Sequence, residues 1–385
     1  MRLRSRLCRA AACWIGLVAA LSAGASRAAD PAEVPLKRLS LGEVGGWIEV
    51  NVQVNGTDGR WLIDTGSTRH LVSRAFAERH GLTAQGNGMR ADTALGPVQG
   101  AEVALPELQI GGHTHKGQTA LRLDDLRPLV GAAGEGLDGI LGVPLLAGVS
   151  LELDLARWTL AISETVPADC PAGLLPLPLD THRGLPVIAL RLNDAPALPL
   201  LLDTGNPAAV VRLVADEPGA DEPGVALAGG ARLALATRVS VGGWQRAEVP
   251  VVRLRAPGLQ RALAPRVAGL AGTALLDGTR WLFRLDRRLL CTPADPPPLP
   301  GGFGLTLVQR DGGLFIDQVL PGGPAQAAGL RSGDAVRRWA GGGPDGPLRE
   351  LWARVQGQEE LELQAGSPEA PVVRLRRAMF LPRLP

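Results

Sequence analysis

Apolar and polar residues alternate with period two along Trp47-Ile48-Glu49-Val50-Asn51-Val52-Gln53-Val54, which predicts a β-strand with one buried face. Turn formers follow over Asn55-Gly56-Thr57-Asp58-Gly59, and then comes the apolar run Trp61-Leu62-Ile63. The same order returns downstream as Leu185-Pro186-Val187-Ile188-Ala189-Leu190-Arg191-Leu192, a turn at Asn193-Asp194-Ala195-Pro196, and Leu200-Leu201-Leu202. Each unit predicts a hairpin whose second strand runs into the same triplet, Asp64-Thr65-Gly66 in one and Asp203-Thr204-Gly205 in the other. The likeness continues beyond the triplets. Leu137-Asp138-Gly139-Ile140-Leu141-Gly142 trails the first and Ala268-Gly269-Leu270-Ala271-Gly272 the second. Both lead into a helical turn and a closing strand, at Leu151-Glu152-Leu153-Asp154 and Trp281-Leu282-Phe283-Arg284-Leu285-Asp286.

A lone Asp-Thr-Gly marks a turn or a helix cap more often than a reactive group. Two copies at matching points of a duplicated unit, 139 positions apart, predict one site built from both halves. Close carboxylates that share one proton can accept a proton from water while donating to a carbonyl oxygen, as amide hydrolysis requires. Like charges about 3 Å apart cannot both ionise cheaply, so the titration belongs to the pair. The hydroxyls of Thr65 and Thr204 can pin one loop to the other, and Gly66 and Gly205 let backbones approach. The Ser67 hydroxyl is placed to orient Asp64, and the Asn206 amide to donate to Asp203.

With an Asp-Thr-Gly and then an apolar-apolar-Gly segment in each half, residues 40 to 292 resemble the pepsin-like and retropepsin-like aspartic peptidases. The resemblance implies a mainly β protein with two-lobed acid-protease-like β barrels related by pseudo-two-fold duplication, lobe 1 over 29–167 and lobe 2 over 168–292. It implies an endopeptidase in which Asp64 and Asp203 activate water beneath a flap, with no metal or organic cofactor. The flap falls in the glycine-bearing segment 93–100 around Leu95 and Gly96, with a counterpart at Ala228-Gly229-Gly230-Ala231. Two departures stand out. The chain contains no Tyr, so its flap is nearer the retropepsin form, and Asn206-Pro207 stands where many members place Ser or Thr. A catalytically silent peptide-binding adaptor of the cell envelope is therefore the alternative. Both aspartates lie in one chain, so a monomer suffices.

Beyond Cys291 the pattern breaks. The proline-rich stretch 293–300 predicts a stiff, extended linker and a domain boundary, with a last domain over 301–385. Within it Gly302-Phe303-Gly304-Leu305, Ile316-Asp317-Gln318-Val319 and the segment 321–336 resemble, in that order, a bacterial-type PDZ domain of α+β construction. The loop Gly302, Phe303, Gly304, Leu305 can converge backbone N–H groups on a peptide carboxylate while the adjoining strand accepts an extended peptide. Apolar residues at helical spacing over 347–355 predict the helix beside that groove. Recruiting or gating a peptide is one role for this module, and packing against the peptidase is the other.

Composition narrows the class. At 385 residues the chain exceeds one core, and 50 Gly and 32 Pro suit a turn-rich β architecture. The first 28 residues read as a secretory signal: an Arg-rich start, an apolar core too short for a comfortable span, then small residues. An exported, periplasmic chain is expected, with an uncleaved N-terminal anchor as the other option. Five of the positive charges lie in that leader, so the formal +2 becomes about −3 in the mature chain and gives no basic patch for nucleic acid. Cys170 and Cys291 remain, as a disulfide tying lobe ends or as two thiols. No histidine cluster suggests a metal: His113-Thr114-His115 reads as a solvated turn, and His70 as part of the strand leaving the first triplet.

Overall fold

In the computed structural model the first lobe builds strands β1 (Val34–Leu39), β2 (Trp47–Val54), β3 (Thr57–Ile63), β4 (His70–Ser73), β5 (Ala84–Thr93), β6 (Gly96–Ile110), β7 (His113–Leu123), β8 (Gly139–Leu141), β9 (Ser150–Asp154) and β10 (Thr159–Ser163), with short helices α1 (Arg74–Arg79) and α2 (Arg127–Val130). The structure describes residues 32–40, 45–93, 96–164, 169–215, 222–263, 265–340, 342–343 and 346–385. The expected leader over 1–28 and Leu95 of the expected flap lie outside the described residues. Ile48, Val50, Val52 and Val54 are all buried, which is the face that the period-two pattern requires. The turn after β2 is tighter than the five residues expected. Asn55 and Gly56, at φ 51° and 78°, make it alone, and Thr57 to Gly59 pair back onto Val54 to Val52.

Strands β2, β3, β8, β4, β7 and β6 bond in that order, and β6 returns to β2 to close a barrel. The second lobe repeats the design with β11 (Leu175–Pro178), β12 (Asp180–His182), β13 (Leu185–Leu192), β14 (Leu198–Leu202), β15 (Val210–Leu213), β16 (Val225–Ala226), β17 (Arg232–Val241), β18 (Trp244–Leu254), β19 (Gly269–Ala271), β20 (Arg280–Arg284) and β21 (Leu289–Thr292), and helices α3 (Pro257–Leu263) and α4 (Thr273–Leu276). There the order is β13, β14, β19, β15, β18 and β17, closed by β13 on β17. Directions match as well: β3 and β14 run parallel to β8 and β19, while β4 and β15 lie antiparallel to them. The fold is thus mainly β, with two barrels of one topology.

A sheet that no local pattern announced joins the lobes, in the order β11, β21, β20, β9, β10, β1. Its centre is the antiparallel pair of equivalent strands β9 and β20, with Leu151 opposite Phe283 and Leu153 opposite Trp281. Strand β20 stops at Arg284 rather than Asp286, because Leu285–Arg287 turns as a 3-10 helix and Arg288 takes the left-handed conformation. A second correction concerns His113-Thr114-His115. These residues open β7 instead of forming a solvated turn, and His115 is buried.

The last domain contains β22 (Leu305–Arg310), β23 (Gly313–Val319), α5 (Pro324–Ala327), β24 (Val336–Trp339), α6 (Leu348–Val355), β25 (Glu360–Ala365) and β26 (Val373–Arg376). It has its own core, in which Leu348, Leu351, Trp352 and Val355 of α6 pack with Phe303, Leu305 and Leu307. The linker is not a free spacer. Leu299 is buried in the core shared by the two lobes, and the Pro297 carbonyl accepts from buried Arg246 at 2.8 Å. Past β26 the chain returns to lobe 2, where Leu235 donates to Pro382 and accepts from Leu384, both at 2.8 Å. Among the described residues no helix is long and apolar enough to cross a membrane.

Candidate active site

Strands β3 and β14 end in the two Asp-Thr-Gly triplets, and the lobes bring them together. Each aspartate is held first by its own lobe: the Asp64 N–H donates to Leu141 and the Asp203 N–H to Ala271, both at 2.8 Å. The apolar-apolar-Gly segments therefore run beside the triplets, and glycine is required where they cross. A Cβ on Gly142 would lie 2.3 Å from the Arg69 carbonyl oxygen, and one on Gly272 2.2 Å from that of Asn206. The loops are then tied to each other reciprocally. Thr65 N–H donates to Thr204 Oγ1 and Thr204 N–H to Thr65 Oγ1, each at 3.0 Å. The hydroxyls donate onward, Thr65 to the Leu202 carbonyl at 2.6 Å and Thr204 to that of Ile63 at 2.8 Å.

Gly66 and Gly205 make room for the acids. A Cβ on Gly66 would fall 2.4 Å from Asp203 Oδ1, and one on Gly205 2.5 Å from the Asp64 carboxyl carbon. The Gly66 N–H donates to Asp64 Oδ1 at 2.8 Å and the Gly205 N–H to Asp203 Oδ1 at 2.9 Å. The two carboxyls thus face one another where the loops meet, and each bears on the titration of the other. Both side chains remain partly exposed at the meeting of the lobes, yet the surrounding protein dominates their titration. Burial raises Asp64 above the ordinary carboxylate range, against the lowering pull of its hydrogen bonds. Asp203 is raised well above that range, first by burial and then by the adjacent Asp64 charge. A proton is thus retained between the two acids where isolated carboxylates would have lost it.

The supports expected of Ser67 and Asn206 take another form. Ser67 Oγ donates to the Arg69 carbonyl at 2.8 Å, so its hydroxyl closes its own turn and its backbone N–H faces Asp64. Asn206 Oδ1 accepts from the Ala208 N–H at 3.2 Å, its side-chain amide nitrogen has no partner, and its backbone N–H faces Asp203. Side-chain reach cannot be read from a sequence, whereas the donors that matter here are main-chain ones that every residue but proline carries. Two supporting residues escaped the sequence reading. His70 is buried on β4, where Nδ1 accepts from the Gly142 N–H at 3.1 Å, and burial lowers its pKa to about 4. Trp47 crosses between lobes, its indole N–H donating to the Gly205 carbonyl at 2.8 Å. The sequence placed both on strands, Trp47 opening the alternating run and His70 leaving the first triplet, but carried no signal of what either side chain reaches.

Gly96 opens β6 and pairs with Thr93, so a hairpin stands where the flap was expected. Its lobe 2 counterpart is the two-residue β16 with a 3-10 turn over Ala228–Gly230. In the last domain Gly302 exchanges hydrogen bonds with Ala378, so its N–H is spent in a bridge instead of facing a ligand. The Phe303 ring is buried in the core beneath the Arg377 guanidinium, and Gly304 (φ 82°) and Leu305 lead into β22. A disulfide joins Cys170 to Cys291, with Cα atoms 5.7 Å apart, and staples the entry to β11 onto its neighbour β21.

The duplicated barrels, the crossing glycine segments and the paired acids define the class of an acid-protease fold. Residues 50–145 match the family model described as aspartyl protease, and residues 293–338 match that of the PDZ domain. The chain thus carries an aspartyl protease domain and, C-terminal to it, a PDZ domain. No curated protein sequence matches the chain.

Proposed function

We propose that the chain is an aspartic endopeptidase in which Asp64 and Asp203 share a proton and activate one water for attack on a peptide carbonyl. The observation that carries this reading is the meeting of two carboxyls across Gly66 and Gly205, with proton affinities that burial raises. The ionised member takes a proton from water while the protonated member donates to the carbonyl oxygen, and the roles exchange as the amine departs. Thr65, Gly66, Thr204 and Gly205 hold the pair, and the backbone N–H groups of Ser67 and Asn206 share its negative charge. The hairpin of β5 and β6 acts as the flap, and the PDZ domain recruits or gates peptide substrates, in keeping with the strand addition by which such domains bind peptides. Export to the periplasm completes the proposal and rests on the leader.

Cleavage of a broad peptide library from acid to neutral pH tests it, with wild type set against Asp64→Asn and Asp203→Asn. Each variant is expected to lose at least about 10³-fold in kcat/KM. Cleavage that survives both substitutions removes the dyad mechanism, and a folded wild type that cleaves nothing favours the silent adaptor.

A further inference from the structure

The Asn206-Pro207 step lacks the hydroxyl that Ser67 gives the first loop, and lobe 1 reaches across to the second. The segment Gly45-Gly46-Trp47 leads into β2 and lies against this loop. Gly45 has φ 76°, and a Cβ on it would fall 1.6 Å from the Pro207 carbonyl oxygen, so only glycine permits the approach. The Gly46 carbonyl accepts from the Thr273 hydroxyl at 2.5 Å, and that hydroxyl also contacts the Asn206 carbonyl at 3.1 Å. Trp47 Nε1 then donates to the Gly205 carbonyl at 2.8 Å. This carbonyl belongs to the same peptide group as the Asn206 N–H. That N–H donates to the Asp203 main-chain oxygen at 3.1 Å and faces its carboxylate. Accepting a hydrogen bond at the oxygen of a peptide makes its N–H a stronger donor and fixes its plane.

We propose that Trp47 is a positioning residue for Asp203: its indole holds the 205–206 peptide by the carbonyl, aiming and polarising the N–H that stabilises the Asp203 anion. The inference rests on the dyad reading above. The ring itself packs against the cluster that contains Leu39, Leu62, Leu71 and Leu121, so Trp47→Phe keeps the apolar contact and removes the donor. Without that donor the pair holds its last proton more tightly.

Stability of wild type, Trp47→Phe, Asp203→Asn and the double variant, measured by denaturant melts from pH 3 to 8, forms a cycle that does not depend on turnover. At the acid end of this range, where the pair gains its second proton, the two changes are expected to approach additivity; as pH rises Trp47→Phe is expected to cost more with Asp203 than with Asn at 203. In peptide cleavage the alkaline limb of kcat/KM is expected to move up by about 0.3 pH units, with a several-fold fall in kcat. Trp339→Phe removes a similar indole bond, to Gly343 at 2.9 Å in the PDZ domain, and is expected to leave both responses unchanged. Additivity at every pH overturns the proposal. Should Trp47→Phe fail to fold, Thr273→Val releases the Gly46 side of the same clamp and enters the cycle with the same expectation. A wild type without peptidase activity refutes the endopeptidase and leaves the stability cycle to decide the role of Trp47.

Discussion

Asp64 and Asp203 bind protons more tightly in the folded protein than in the unfolded chain, and this sets the sign of their effect on stability. Their unfavourable contribution is absent below about pH 4, grows as pH rises toward the raised folded values, and is complete above them. Asp203→Asn is therefore expected to raise the melting temperature by about 3 °C at pH 8 and to change it little at pH 3, as calorimetry at the two values checks. His70 works in the opposite direction. Held near a pKa of about 4, it costs stability as pH falls from about 6.5, by up to ~3 kcal/mol, which denaturant melts at pH 7, 5.5 and 4 resolve. Thr65→Val removes two hydrogen bonds from the reciprocal tie and is expected to cost about 3 kcal/mol with a large loss of activity. The acids, threonines and glycines of the triplets were legible because the chemistry and the close approach admit few residue types. The turns of Ser67 and Asn206 were not, since either side chain satisfies a nearby backbone group as readily as a carboxylate.

The elements that local sequence defines are those whose buried face is written into alternation or a turn. β2 and β13 formed where the patterns lay, and each lobe closed through them onto its long returning strand. The sheet between lobes escaped notice because β9 and β20 are short apolar runs that could equally have sat within one barrel; their pairing is set by the lobes meeting. The disulfide belongs to this scale as well. It bridges positions 121 apart, so Cys170→Ser is expected to cost about 2–5 kcal/mol, measurable as a lower denaturation midpoint that reduction of the wild type reproduces.

At the scale of the whole molecule, the PDZ domain is docked on the two lobes instead of being tethered to them. Arg38 of lobe 1 pairs with Asp277 of lobe 2, and the Gln356 side chain, just beyond α6, faces the same guanidinium. Leu299 and the return of Pro382 and Leu384 to β17 complete the attachment. A chain cut after Thr292 is accordingly expected to melt several degrees below the intact protein, and scanning calorimetry of the latter to show one dominant transition; separate transitions with the two lobes melting unshifted would count against docking. The sequence by itself determined the duplication, the strands around each triplet and the residue types of the paired acids, because hydrophobic period and side-chain chemistry are local properties of a chain. The tertiary structure alone decided that the two acids meet, how far their protons are held, that Trp47 reaches the opposite lobe and that the linker is buried. Those outcomes depend on desolvation and on contacts between residues far apart in the chain, which no short window of sequence contains.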